Sequence, residues 1–172
     1  MKIGILSDSH RDTFHTKILI EHLINEGAEY LIHAGDFELM ENLRLLDQTN
    51  IPYVSVFGNN DSALVSNRHD FRIFREPHYF SVNNLKFKLM HMPYYMSRDD
   101  ADVIIYGHTH QVKFKYNEGL LLINPGEICA RETGRHEGVL LECKDDRYII
   151  THYFKMRGET TIHQKTTEFL KK

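Results

Sequence analysis

The sequence predicts an α/β fold of two facing sheets with helices outside, and three observations carry that prediction. In the first third, short apolar runs of strand length alternate with stretches of helical periodicity. Each of those runs ends at a polar residue, Asp8, Asp36 or Asn59. Beyond the first third the chain becomes strand-rich, with short polar turns.

The elements follow in order. Residues 2–7 (KIGILS) form an apolar run whose length suits a buried strand. Over 13–26, Phe14, Ile18, Leu19, Leu23 and Ile24 recur at helical spacing, and Gly27 is a stop signal. A second strand over 30–34 leads into Gly35-Asp36. A second helix over 38–48 carries Leu39, Leu43 and Leu46 on one face, and a third strand over 52–57 leads into Gly58-Asn59. Strand–helix–strand–helix–strand implies parallel strands with crossover helices, whose C-terminal edge is where such sheets bind ligands. Further on, 78–82 and 85–91 flank an Asn83-Asn84 turn, and 102–106 is a strand ending at Gly107-His108. Two more hairpins span 112–123 and 138–154. Residues 158–172 are polar and are expected to form a tail. A length of 172 residues, without repeats, low-complexity segments or linkers, predicts one domain.

Composition narrows the function classes. The chain is 41% hydrophobic and 26% charged, enough for a real core. A net charge of −3 and the lack of a polybasic cluster argue against a nucleic-acid-binding protein. No apolar run approaches the ~18 residues that span a bilayer. The N-terminal MKIGILSDSH is too short for a signal-peptide core, and a cytoplasmic location is expected. Cys129 and Cys143 form no Cys-x-x-Cys pair and are expected to be free thiols. The 12 histidines are many for this length, and histidine is the commonest metal ligand.

Five short motifs carry the chemistry: Asp8-Ser9-His10, Gly35-Asp36, Gly58-Asn59-Asn60-Asp61, His91, and Gly107-His108-Thr109-His110. Alternate residues of a strand point the same way, so Asp8 and His10, and likewise His108 and His110, are expected to share a pocket. The glycine before Asp36, Asn59 and His108 is expected to let the chain leave its strand in a conformation other residues resist. Taken singly the motifs are weak, since Gly-Asp is ordinary turn chemistry. Together, each at the end of an apolar run, they supply carboxylate oxygens, imidazole nitrogens and one amide oxygen. That mixture suits Mn, Fe, Zn, Co or Ni better than Ca or Mg, with manganese the first expectation. Seven ligands are too many for one tetrahedral ion and fit two ions sharing a carboxylate.

This set resembles the calcineurin-like metallophosphoesterase superfamily. Small size and the Asn124-Pro125-Gly126 loop make it most similar to compact phosphodiesterases of the YfcE type, from Met1 to about Phe154. The resemblance implies a four-layer α/β/β/α sandwich with a dimetal site at the strand ends. It implies one metal on Asp8, His10, Asp36 and His110, and another on Asp36, Asn59, His91 and His108, with Asp36 bridging. Two such metals, roughly 3.5–4 Å apart, would activate a bridging water whose hydroxide attacks phosphorus, without a protein nucleophile.

Two departures from the family pattern stand out. Where many relatives carry a histidine, this chain has Asn60, which donates a hydrogen bond to phosphate but transfers no proton at neutral pH. That favours good leaving groups, or diesters. After His91, Met92 replaces the usual glycine, with Tyr94 and Tyr95 as a candidate aromatic wall. Only 16 residues separate His91 from His108, too few for a full helix with its connections. Arg11 is a second candidate for substrate contact, and Asp61 is expected to orient a neighbouring ligand. His33 and His69 read as structural.

The expected activity is hydrolysis of a small phosphodiester. The competing reading is a non-catalytic scaffold of the same fold, as in the related retromer subunit; the seven filled ligand positions count against it. A nuclease ranks below both for lack of a basic groove. A homodimer is the partner the family's loop contacts leave open.

Overall fold

The computed structural model describes residues 1–171 and, for Asn67, the backbone alone. The first third folds as β1 (Lys2–Leu6), α1 (Thr13–Asn25), β2 (Tyr30–His33), α2 (Met40–Asp47) and β3 (Tyr53–Val56). A short 3₁₀ segment, Ser62–Asn67, leads to β4 (Ile73–Phe74). Then come β5 (His78–Val82), β6 (Leu85–Leu89), β7 (Val103–Ile105), β8 (Lys113–Asn117), β9 (Leu120–Asn124), β10 (Arg135–Cys143), β11 (Arg147–Met156) and β12 (His163–Leu170).

The strands make two mixed sheets, as expected. One has the order β12-β11-β10-β1-β2-β3-β4, the other β5-β6-β7-β9-β8. In the first, β1 to β4 are parallel, and β10 closes onto β1 antiparallel with Ile3 opposite Leu141. In the second, β6, β7 and β9 are parallel. The sheets face each other across Ile3, Ile5, Ile32, Val54, Phe87, Val103, Leu121 and Ile150, all buried. On the far side of the larger sheet, Leu19 and Leu23 of α1 and Leu43 and Leu46 of α2 pack on Leu6, Leu31 and Leu140. Central strands buried on both faces explain why they read as apolar runs without alternation. Helix α1 is capped by Asp12, which accepts from the His15 N–H at 2.9 Å. It ends in a Schellman turn through Gly27, with Ala28 N–H bonding Leu23 C=O at 2.9 Å.

Three departures from expectation have physical causes. The outer face of the smaller sheet carries no helix among the described residues. Met96 and Ala101 of an irregular segment cover Met90, Ile104 and Tyr106 there, in line with the short connection between His91 and His108. Buried Lys88 pins that segment, donating to the Asp99 carboxylate at 2.7 Å and the Ser97 carbonyl at 2.8 Å. The polar tail over 158–172 is corrected: most of it is β12, paired antiparallel to β11, and Lys172 lies outside the described residues. An edge strand needs little apolar surface, and Phe169 supplies the inward contact. The two-residue β4 has no periodicity to read. Of the expected hairpins, Asn83 and Asn84 have φ of +46° and +66°, as a type I′ turn requires. No helix among the described residues is long and apolar enough to cross a membrane.

Candidate metal centre

The first ligand of each motif lies two or three positions beyond a strand: Asp8 after β1, Asp36 after β2, Asn59 after β3, His91 after β6 and His108 after β7. The structure brings all seven candidates together, in two chains that meet at Asp36. In the first, Asp8 Oδ1 lies 3.3 Å from His110 Nε2, which lies 3.4 Å from His10 Nε2, which lies 3.7 Å from Asp36 Oδ2. In the second, the same Asp36 Oδ2 lies 3.4 Å from His91 Nε2. Asn59 Oδ1 then lies 3.0 Å from both His91 Nε2 and His108 Nδ1.

The pairs do not converge by strand alternation. Asp8, His10, Asp36, Glu38, His108 and His110 all have left-handed backbone, with φ from +47° to +65°. Such conformations cost non-glycine residues on the order of 1 kcal/mol or more each and persist only where neighbours enforce them. The neighbours are visible. Asp8 N–H bonds Gly35 C=O at 3.0 Å, His10 N–H bonds Asp36 C=O at 2.8 Å, and His108 N–H bonds Asp8 Oδ2 at 3.1 Å. The role expected of the glycines also needs correcting. Only Gly35 uses a positive φ, +92°. Gly58 and Gly107 make room: a Cβ would collide with the Asp36 carboxylate at one and with Ser7 Oγ at the other.

The imidazoles are oriented from behind. His91 Nδ1 lies 2.8 Å from the Ala34 carbonyl, which can only accept, so Nδ1 carries a proton and Nε2 is the nitrogen turned toward Asp36 and Asn59. His110 Nδ1 likewise meets Glu127 Oε2 at 2.6 Å, and His10 Nδ1 meets Glu38 Oε2 at 3.2 Å. His10 Nε2 and His110 Nε2 therefore face one another across 3.4 Å. Two ring nitrogens so placed beside the Asp8 and Asp36 carboxylates would be bridged by a cation. Asp8 Oδ1 agrees, being buried without a hydrogen-bond partner. Burial pushes the Asp8 carboxyl upward against the pull of His91. For Asp36, burial is outweighed by His91 and by the Asn60 hydrogen bonds, which hold it well below the usual carboxylate range. Burial opposes charge on His91, yet Asp36 and Asp8 raise it to about 9. These residues fit divalent cations by donor type and by unmet charge.

Around this core, Asp61 accepts from the N–H groups of Asp36, Glu38 and Gly58 at 2.9, 2.7 and 2.8 Å, tying two ligand loops together. Burial is the larger influence on Asp61 and pushes it up to about 6, against the N–H groups of Glu38 and Gly58. Asn60 donates to both Asp36 oxygens, from its N–H at 2.9 Å and from Nδ2 at 2.7 Å, so it grips the shared carboxylate. Arg11 is exposed and paired with Glu38 at 3.2 Å. Tyr94 and Tyr95 are exposed. His33 is structural as read: it stacks on Phe37, and burial lowers it to about 3.

Sequence reasoning missed Glu38, Asn42 and Glu127. Glu38 repeats the two-residue step of Asp8-x-His10 and could have been found by it. Asn42 sits in α2 and donates to the carbonyls of His10 and Phe37 at 2.6 and 2.9 Å. Glu127, fully buried, follows the Asn124-Pro125-Gly126 loop. Besides His110 it accepts from Cys129 Sγ at 3.1 Å and from the N–H groups of Arg131, Glu132 and Thr133 at 2.9, 2.8 and 2.6 Å. Burial raises Glu127, but His110 and Thr133 outweigh it and keep the carboxyl well below its usual range.

Residues 1–146 match the family model of the calcineurin-like phosphoesterase superfamily domain. The chain belongs to that superfamily. It is 32% identical over 146 residues to the phosphodiesterase MJ0936 of Methanocaldococcus jannaschii, covering 78% of this chain and 88% of the relative. Among solved structures, YfcE, a phosphoesterase from E. coli, superimposes with a TM-score of 0.69 at 19% identity, covering 96% of this chain and 98% of that one. Vacuolar protein sorting 29 from Cryptosporidium parvum superimposes with a TM-score of 0.80 at 19% identity, covering 99% and 98%. At such identities the two structures bear on the fold alone. Membership of the metallophosphoesterases implies divalent metal ions, in keeping with the donor set above.

Proposed function

We propose that this phosphoesterase-family chain is a dimetal-dependent phosphodiesterase that hydrolyses a small phosphodiester with water as nucleophile. The observation that carries the reading is the position of Asp36 Oδ2, 3.7 Å from His10 Nε2 and 3.4 Å from His91 Nε2, with a set of donors on either side. One ion would be held by Asp8, His10, Asp36 and His110, the other by Asp36, Asn59, His91 and His108. When bound, two divalent ions supply the Lewis acidity that makes water nucleophilic at neutral pH and offset charge on the phosphoryl oxygens. The chain's own groups do the rest. Asn60 and Asp61 fix the shared carboxylate and its loop, while Ala34, Glu38 and Glu127 fix the imidazoles. Asn60 transfers no proton, which supports diesters or other substrates with good leaving groups. Manganese is the preferred ion on donor chemistry, with Ni, Fe, Zn and Co as competitors. The name of the M. jannaschii relative supports a diesterase. Free Cys129 and Cys143 support a cytoplasmic location.

The test is hydrolysis of aryl phosphodiesters and monoesters after chelator stripping and reloading with Mn, Ni, Mg or Zn. Diester turnover restored by a transition metal is expected. A folded, metal-loaded protein without turnover would move the assignment to the scaffold reading, for which the likeness to vacuolar protein sorting 29 is the supporting observation.

A further inference from the structure

We propose that the cleft beside His10 binds a second phosphoryl group, so that the substrate is a diphosphate-linked ester; this rests on the phosphodiesterase reading above. The cleft, of about 340 Å³, is lined by His10, Arg11, Asp12, Cys129, Arg131 and Arg157. Its three guanidiniums come from three separate segments: the loop after β1, the loop after Asn124-Pro125-Gly126, and the end of β11. Two are anchored through their backbone, Arg131 N–H on Glu127 Oε2 at 2.9 Å and Arg157 N–H on Gly134 C=O at 2.9 Å.

The guanidiniums are unevenly paired. Arg11 and Arg131 share one carboxylate, Glu38, at 3.2 and 4.0 Å, and Glu38 also holds His10. The side chain of Arg157 bonds only the Ala130 carbonyl among the contacts described. Of the other acids, Asp12 bonds the His15 N–H and ring and lies near His136, at 2.9, 2.8 and 3.5 Å, and buried Glu127 bonds His110, Cys129 and backbone N–H groups rather than a guanidinium. A single carboxylate ligand would be satisfied by one guanidinium fork. Three guanidiniums from three directions suit a tetrahedral anion with several oxygens.

Two further features fix the linkage. His10 is both a wall of the cleft and a member of the donor set, so an anion in the cleft lies next to the scissile phosphorus, as the second phosphorus of a diphosphate does. Asn60 offers no proton to the leaving group, and a phosphate leaving group needs none because it is a weak base. In the reaction, the oxygen of water bonds to one phosphorus and the bond from that phosphorus to the bridging oxygen breaks. Two phosphomonoester dianions and two protons result at neutral pH.

The first test is calorimetric titration of the metal-stripped protein with sulfate, a tetrahedral dianion that does not sequester metals, at constant ionic strength. Saturable one-to-one binding is expected, weakened about tenfold or more in an Arg131→Gln/Arg157→Gln variant of unchanged circular dichroism. The second compares kcat/KM of the manganese-loaded enzyme for a nucleoside 5′-diphosphate p-nitrophenyl ester and for bis(p-nitrophenyl) phosphate. A preference for the former, with p-nitrophenyl phosphate as product, is expected, and the double variant should lose that preference. Absence of sulfate binding, or turnover of both esters without preference, overturns this proposal alone. No turnover of either ester sinks the phosphodiesterase reading and this proposal with it.

Discussion

The two sheets contribute unlike chemistry to one site. Loops of the seven-stranded sheet bring every oxygen donor, Asp8, Asp36 and Asn59, with a single imidazole, His10; loops of the five-stranded sheet bring only imidazoles, His91, His108 and His110. They are also held differently. The oxygen side is fixed by N–H groups on carboxylates, as Asp61 and Asn60 show. On the nitrogen side, His91 and His110 are fixed by acceptors on their outer nitrogens, the Ala34 carbonyl and Glu127. Charge placement depends on donors and lone-pair placement on acceptors, so one centre needs both kinds of support.

The largest expected effect breaks the oxygen side. Asp36→Asn should cost more than about 100-fold in diester hydrolysis, beyond the ~10–100-fold typical of residues that merely support a ligand. A variant retaining full rate would remove Asp36 from the centre. On the nitrogen side, Glu127→Gln should weaken metal binding by about 10–100-fold in competition titrations against a chelator, because the His110 tautomer loses its anionic partner. Unchanged affinity would mean that Glu127 serves only the loop over 131–133. Asn60→His sharpens the question of the leaving group: rates on alkyl esters should rise about tenfold relative to aryl esters, the lower end of what general acids supply being reduced by the lost grip on Asp36. Equal ratios in the two proteins would count against the proton argument. The smallest effect compares the outer covers of the sheets. Leu43→Ala, under the helices, should cost about 2–5 kcal/mol in denaturant unfolding, and the half-buried Met96→Ala less than about 2. A Met96→Ala loss matching that of Leu43→Ala would make the irregular segment as structural as a helix.

Much of this was legible beforehand. Buried parallel strands announce themselves as apolar runs, and a ligand just beyond each run is visible because the chain must leave the sheet there. The supports were harder. Glu127 and Asn42 act on atoms 17 and 32 positions away, and no local pattern marks such partners. The edge strand β12 was missed because a strand with one paired side needs only Phe169 to face inward. The left-handed turns at Asp8, His10, His108 and His110 were read as ordinary pleating because two-residue spacing has the same signature in both.

Those turns carry one more implication. At each of six positions glycine would relieve the backbone, yet the chain keeps Asp, His or Glu there. Glycine there would release the backbone but strand the groups these side chains bond, such as the Ser7 hydroxyl and His108 N–H on Asp8 and the Asn60 groups on Asp36, so strain and side-chain bonding are set against one another at the mouth of the site.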